Sequence, residues 1–257
     1  HHRKLGELDA AALEYARAKQ LLSKAMNEFR DPETRAHAEY LLGNLTLEEA
    51  DATEDEELQQ QRYRAALSRF MDVTGTYSQT LHASKAQFKI ATVYERLGEP
   101  DIAAREYVKL AYKYPESENL AVAMARLGMH FQRKAAVYER QAKPLLAKTE
   151  DKDAQFDGQA LQKMASQFYV KSASIFARLQ ERFPSHELAG KAGLLAGKAF
   201  MRADEVNDAV KTFMEVVNNE NYDGVTLRSE AMYWAGLCYQ KLRSPMAAYS
   251  IYKRLTY

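Results

Sequence analysis

Residues 86–115, AQFKIATVYERLGEPDIAAREYVKLAYKYP, set Ala86, Phe88, Ile90, Ala91, Tyr94, Gly98, Ala103, Tyr107, Leu110 and Pro115 at the spacing of a helix-turn-helix unit of roughly 34 residues. Two antiparallel helices approach closely only where small residues face each other and large aromatic side chains fill the adjoining holes. A single copy of this pattern is a weak signal, but it recurs. Shifted by 145 residues, Ala231, Tyr233, Ala235, Gly236, Tyr239, Ala248, Tyr252 and Leu255 repeat it. A third copy runs Ala192, Leu194, Ala196, Gly197, Phe200, Ala209, Phe213, Val216.

Two further copies are stretched. One begins Ala38, Tyr40, Leu42, Gly43 and resumes after an acidic insertion at Ala66, Phe70, Val73. The other opens Ala123, Leu127, Gly128, Phe131 and runs without a break signal to about Leu146, then closes with Ser172, Phe176, Leu179, Phe183 and Pro184 after the polar stretch Lys148–Gly158. A leading helix from about Leu8 to Phe29, stopped by Asp31-Pro32, reads as the second half of a repeat. The predicted fold is therefore all-α: a right-handed superhelical solenoid of about five helix hairpins with two insertions. As one array over residues 1–257, it divides into a partial repeat (1–32), a repeat with the acidic insertion (35–79), a repeat (83–117), an extended repeat (118–186), a repeat (187–222) and a truncated repeat (226–257).

Composition agrees. The 11 glycines and 6 prolines among 257 residues are few for a strand-rich chain, while 46% apolar and 28% charged residues suit a soluble protein with a continuous core. A formal net charge of +1 argues against a general nucleic-acid binder and is expected to reflect balance that is local as well as global. One cysteine, Cys238, excludes an internal disulfide framework and a cysteine-based metal site. No run approaches the ~18 apolar residues of a membrane span, and no signal peptide opens the chain. His1 and His2 read as a tag remnant and the chain stops inside a repeat, which predicts a fragment of a longer protein.

Several copies agreeing in residue type and spacing resemble the tetratricopeptide repeat family. The strings KYPES (Lys113–Ser117), RFPSHE (Arg182–Glu187), QFKIATVYERLG (Gln87–Gly98) and AMYWAGLCYQKL (Ala231–Leu242) resemble its bacterial cell-envelope subgroup, of the outer-membrane assembly lipoprotein and Tol-Pal-associated type. The two insertions and the lack of a lipobox cysteine depart from that pattern. The resemblance implies a non-catalytic scaffold or adaptor for protein-protein interaction, periplasmic or envelope-associated. A structural subunit stacking through its solenoid ends is the alternative.

Catalytic signatures are missing: neither a phosphate-binding glycine loop nor G-x-S-x-G nor H-E-x-x-H occurs. No cofactor or metal is expected. His37, His82, His130 and His186 are dispersed with none paired at i, i+4, so they read as structural or surface histidines. The acidic run Glu48–Glu57 lacks the spacing and glycine of a calcium loop and reads as a solvated connection. The aromatics Tyr94, Phe131, Phe200, Tyr239, Tyr107, Phe176, Phe213 and Tyr252 recur at fixed repeat positions, as core packing requires.

In the family, the first helix of each unit lines a concave groove with its second, fifth, ninth, twelfth and thirteenth residues. Carried over by position, these are Lys85, Phe88, Thr92 and Arg96; Met129 and Arg133; Leu194, Lys198 and Arg202; Tyr233 and Lys241. The thirteenth place is cationic four times, at Arg96, Arg133, Arg202 and Lys241. Such a ladder could grip carboxylates of an acidic peptide or a free C-terminus, with Phe88, Leu194 and Tyr233 as apolar contacts. Equally, cations ending helices are favoured by the macrodipole by ~0.3–1 kcal/mol with no ligand at all. The partner implied is a protein or peptide rather than nucleic acid.

Overall fold

The computed structural model of the chain describes residues 2–148, 150–222 and 224–255. The described residues form eleven α-helices and no strand. The chain divides into two compact units, His1–Leu120 and Ala121–Tyr257. The first holds α1 (His2–Glu28), α2 (Pro32–Asp51), α3 (Glu56–Thr76), α4 (Leu81–Arg96) and α5 (Pro100–Lys113). The second holds α6 (Leu120–Leu146, one residue of which belongs to the first unit), α7 (Lys152–Arg182), α8 (Ala189–Arg202), α9 (Val206–Asn218), α10 (Val225–Lys241) and α11 (Pro245–Lys253). The leading helix starts earlier than periodicity predicted, and α6 ends where it predicted.

Within each unit successive helices pack as hairpins, and first helices also touch the next first helix, α2 against α4 and α8 against α10. That is the all-α hairpin stack predicted from the spacing. Its closeness has a simple cause. Gly43, Gly128, Gly197 and Gly236 each lie under an aromatic ring from the second helix of the same hairpin, Phe70, Phe176, Phe213 and Tyr252. A Cβ built at any of them would come within 2.6, 2.7, 2.5 and 2.3 Å of the ring, so only glycine lets the helices close.

The recurring aromatics split by position. On second helices Phe70, Tyr107, Phe176 and Phe213 are at most 2% exposed, and burying each removes roughly 1.5–3 kcal/mol of apolar surface from water. On first helices Tyr94, Phe131, Phe200 and Tyr239 are only half-buried. They form the flank of the core rather than its centre.

What makes two hairpins long can be read from one position. Seven residues after the close-packed small residue, the short first helices end in a left-handed residue: Gly98 (φ 75°), Asp204 (φ 70°) and Arg243 (φ 55°). Each is followed by a Schellman bond, in which the amides of Glu99, Glu205 and Ser244 donate to the carbonyls of Tyr94, Phe200 and Tyr239. In α2 and α6 that place is held by Ala50 and Ala135, both fully buried, and the helix runs on. Alanine is the best helix former and has no reason to turn left-handed.

The two insertions are thus mostly helix. Both long hairpins close identically: an Asp N-cap accepts from the amide three residues on (Asp55 from Leu58, 2.7 Å; Asp151 from Ala154, 3.0 Å). A glutamine one residue later reaches back to carbonyls ending the first helix, Gln59 to Ala50 (3.0 Å) and Gln155 to Leu146 (2.8 Å). Glu48, Glu49 and Asp51 of the acidic run belong to α2 and Glu56 and Glu57 to the first turn of α3, so only Glu54 and the N-cap Asp55 stand in the connection.

Candidate functional site

The side chains assigned to the groove fall into three groups. The first is spent inside the fold. Leu194 is 7% exposed and packs in the core of the second unit, so it offers almost no surface for apolar contact. Thr92 donates its hydroxyl to the Phe88 carbonyl (3.1 Å) on its own helix. Phe88 is half-buried with its ring 5.8 Å from that of Tyr107.

The second group is cationic, and each member faces an acid on a neighbouring element. Lys85 meets Glu118 (3.1 Å). Arg96 donates to Asp51 (2.6 Å), Arg202 to Glu139 (3.0 Å) and Lys241 to Asp204 (2.5 Å). Lys198 pairs with Glu230 (2.5 Å), holding that carboxyl below its usual range, and lies 5.2 Å from the Trp234 ring centre. Each pair ties one repeat to the next. Three rungs of the predicted ladder are therefore neutralised within the fold, and the balance is not local: the first unit carries 16 basic and 21 acidic residues, the second 20 and 14.

Two of these pairs are larger clamps. Tyr63 of α3 donates to the same Asp51 oxygen (2.7 Å) that Arg96 reaches. Tyr169 of α7 donates to Glu139 (2.6 Å) and accepts from Arg202 (2.9 Å). Tyr63 and Tyr169 both stand seven residues before the core ring, Phe70 or Phe176. Burial first, then the carboxylate each one faces, pushes both hydroxyls above their ordinary value, so they remain donors at neutral pH. Sequence reading missed the clamps because the acids come from beyond the normal repeat length.

The third group is exposed: Met129 (42%), Arg133 and Tyr233 (49%). Among the described residues Arg133 has no ion pair or hydrogen bond recorded. Tyr233 makes an edge contact to Trp234 (5.5 Å between centres).

Other chemistry is sparse. No group of three or more His, Cys, Asp or Glu able to hold a metal exists among the described residues. Cys238 is buried, which pushes its thiol up to about 11 and leaves it a small apolar core residue. Two of the dispersed histidines are in fact stacked: His37 of α2 and His82 of α4 lie ring on ring at 4.3 Å and 6°. Glu33 is 3.6 Å from His82 and also accepts the Leu81 amide (3.2 Å) at the start of α4. Forty-five residues separate the two histidines, so no local spacing could have announced the stack. No described helix is long and apolar enough to cross a membrane.

The arrangement is that of a helical-repeat module with an exposed first-helix face, the type of surface on which tetratricopeptide repeats bind proteins or peptides. The tetratricopeptide repeat family model matches residues 85–117 and 230–257, the segments from which the pattern was first read. Among solved structures the chain is similar to BtubC (BKLC) from P. vanneervenii, at 17% identity over 94% of this chain and 89% of that one, TM-score 0.47. It is also similar to Podosopora anserina putative kinesin light chain nearly identical TPR-like repeats (13%, 89% and 96%, TM-score 0.42). A tetratricopeptide repeat protein from Parabacteroides merdae matches at 15% over 99% and 90%, TM-score 0.36. No curated protein matches the chain.

Proposed function

We propose that the chain is a non-catalytic adaptor that holds a partner polypeptide on the exposed side chains of its first helices. One observation carries this: the core rings Phe70, Tyr107, Phe176 and Phe213 of the second helices are buried, while Met129, Arg133 and Tyr233 on first helices remain accessible. Met and Tyr offer large contact area and Arg a directional donor fork, the residue types enriched where binding energy concentrates. The groove as a whole is not an acid-binding ladder, because Arg96, Arg202 and Lys241 already face carboxylates. The inter-repeat strings KYPES and RFPSHE support placing this adaptor in a bacterial envelope assembly.

The test is affinity purification of the protein from its native cell, followed by direct binding of the purified partner to wild type and to Met129→Asp with Tyr233→Ala. Loss of binding at unchanged melting temperature supports the reading. Equal binding by the variant removes the first-helix face as the site.

A second reading has its own observation. Leu13 and Leu21 of α1, and Met246 and Tyr249 of α11, are between 53% and 79% exposed, and terminal repeats with apolar outer faces associate. Light scattering over a wide concentration range separates the two, since a monomer throughout counts against stacking.

A further inference from the structure

The charge of the second unit is concentrated. Helix α6 carries five basic residues, Arg126, Arg133, Lys134, Arg140 and Lys143, against the single acid Glu139, which Arg202 and Tyr169 already engage. Because Ala135 replaces the left-handed stop, α6 extends its outer face beyond the length of an ordinary first helix. Met129, Arg133, Val137 and Arg140 follow at steps of four, four and three residues, which puts them within one narrow arc. All four are exposed, Met129 at 42% and Val137 at 48%. Neither Arg133 nor Arg140 has an ion pair or hydrogen bond recorded among the described residues.

We infer that this stripe of α6 docks an amphipathic acidic helix of a partner protein, with two carboxylates seven residues apart, one apolar contact between them and a second just outside the carboxylate on Arg133. Spacing selects the occupant. Arg133 and Arg140 are separated by two helical turns, roughly 10.5 Å at a rise of 1.5 Å per residue, the distance between carboxylates at i and i+7 of a helix laid alongside. An apolar residue at i+3 or i+4 of that helix meets Val137, and one about four residues outside the carboxylate on Arg133 meets Met129, so the match is apolar as well as electrostatic. Guanidinium forks spaced for bidentate carboxylate contact, with apolar residues interleaved, favour a protein helix over a nucleic-acid backbone, which asks for cations alone or with stacking aromatics.

This inference rests on the adaptor reading and sharpens it by naming the partner's chemistry. A randomised library of helix-forming peptides is selected on the full chain and, in parallel, on R133E/R140E and on M129D/V137D. Wild type is expected to enrich peptides with Asp or Glu seven apart and Leu, Ile, Val, Met or Phe between. Their affinity should fall at least tenfold with either variant, and lysine-for-acid peptides should recover binding to R133E/R140E. Unchanged circular-dichroism melting of both variants keeps the loss from being one of folding. The inference is overturned if enriched peptides lack the pattern or bind the variants equally. It is also overturned if duplex DNA or phosphatidylserine vesicles bind through Arg133 and Arg140 while acidic peptides do not. Peptides sensitive to Tyr233→Ala but not to R133E/R140E would leave the adaptor reading standing and remove only the α6 site; no enrichment at all would remove both.

Discussion

The hairpins α2–α3 and α6–α7 are built alike and charged oppositely. Each runs its first helix through an alanine where other repeats turn, closes with Asp N-cap and Gln, and clamps the next repeat through Tyr, acid and Arg. Yet residues 32–76 hold 10 acidic and 4 basic side chains, and residues 120–182 hold 6 and 11. Packing constrains the positions that face inward; the solvent-facing positions answer to other demands. A shared skeleton thus leaves the surface charge free to differ between the two hairpins.

The comparison breaks first at the core rings. Phe70→Ala and Phe176→Ala should each cost about 3–5 kcal/mol in urea unfolding, since each empties a fully enclosed site. Hydrogen exchange should accelerate in the hairpin that carries the substitution; loss of protection in only one of the two variants would show that the hairpins are not equivalent. Next come the glycines beneath those rings. Gly43→Ala and Gly128→Ala should each cost about 1–3 kcal/mol, because the new Cβ meets a ring that has nowhere to move. A neutral result at either would mean that its ring can rotate away.

The clamps sharpen the comparison more gently. Tyr169→Phe should cost about 1–1.5 kcal/mol, and Tyr63→Phe somewhat less, because Tyr169 donates at 2.6 Å and accepts from Arg202 at 2.9 Å, while Tyr63 donates to Asp51 at 2.7 Å. Double-mutant cycles with Arg202→Ala and Arg96→Ala should show coupling in both hairpins, and additive losses would remove the clamp as a unit.

The smallest effect belongs to the histidine stack of the first unit. Burial, reinforced by His37 and Lys85 against the opposing pull of Glu33, lowers the His82 pKa below its ordinary 6.5. The folded state thus prefers neutral His82, and its contribution is present above about pH 6.5 and lost as pH falls below it. Melting temperature should decline slightly between pH 7 and pH 5, by more in wild type than in His82→Gln. Identical pH profiles would show that the stack carries no linkage.

Much of the fold was legible because it is local and repeated. Small and large residues at fixed spacing specify close-packed hairpins without reference to distant segments, and α6 ended where its pattern did. The candidate site was less legible. Position placed Leu194 in the groove, but the core of the second unit takes it, since a leucine at a helix flank goes wherever apolar contact is nearest. The chemistry of the four cations was not legible, because the acids that meet Arg96 and Arg202 lie in helix extensions outside the repeat's own numbering.

By itself the sequence determined an all-α chain of stacked hairpins and its small-to-large packing code. Those follow from backbone propensity and side-chain volume, which act over a few residues. Only the tertiary structure decided which charges are spent and which are free, because an ion pair depends on what lies within about 4 Å across helices that the chain separates by dozens of residues. That is why Arg96, Arg202 and Lys241 serve the fold, while Arg133 and Arg140 stand exposed without a partner among the described residues.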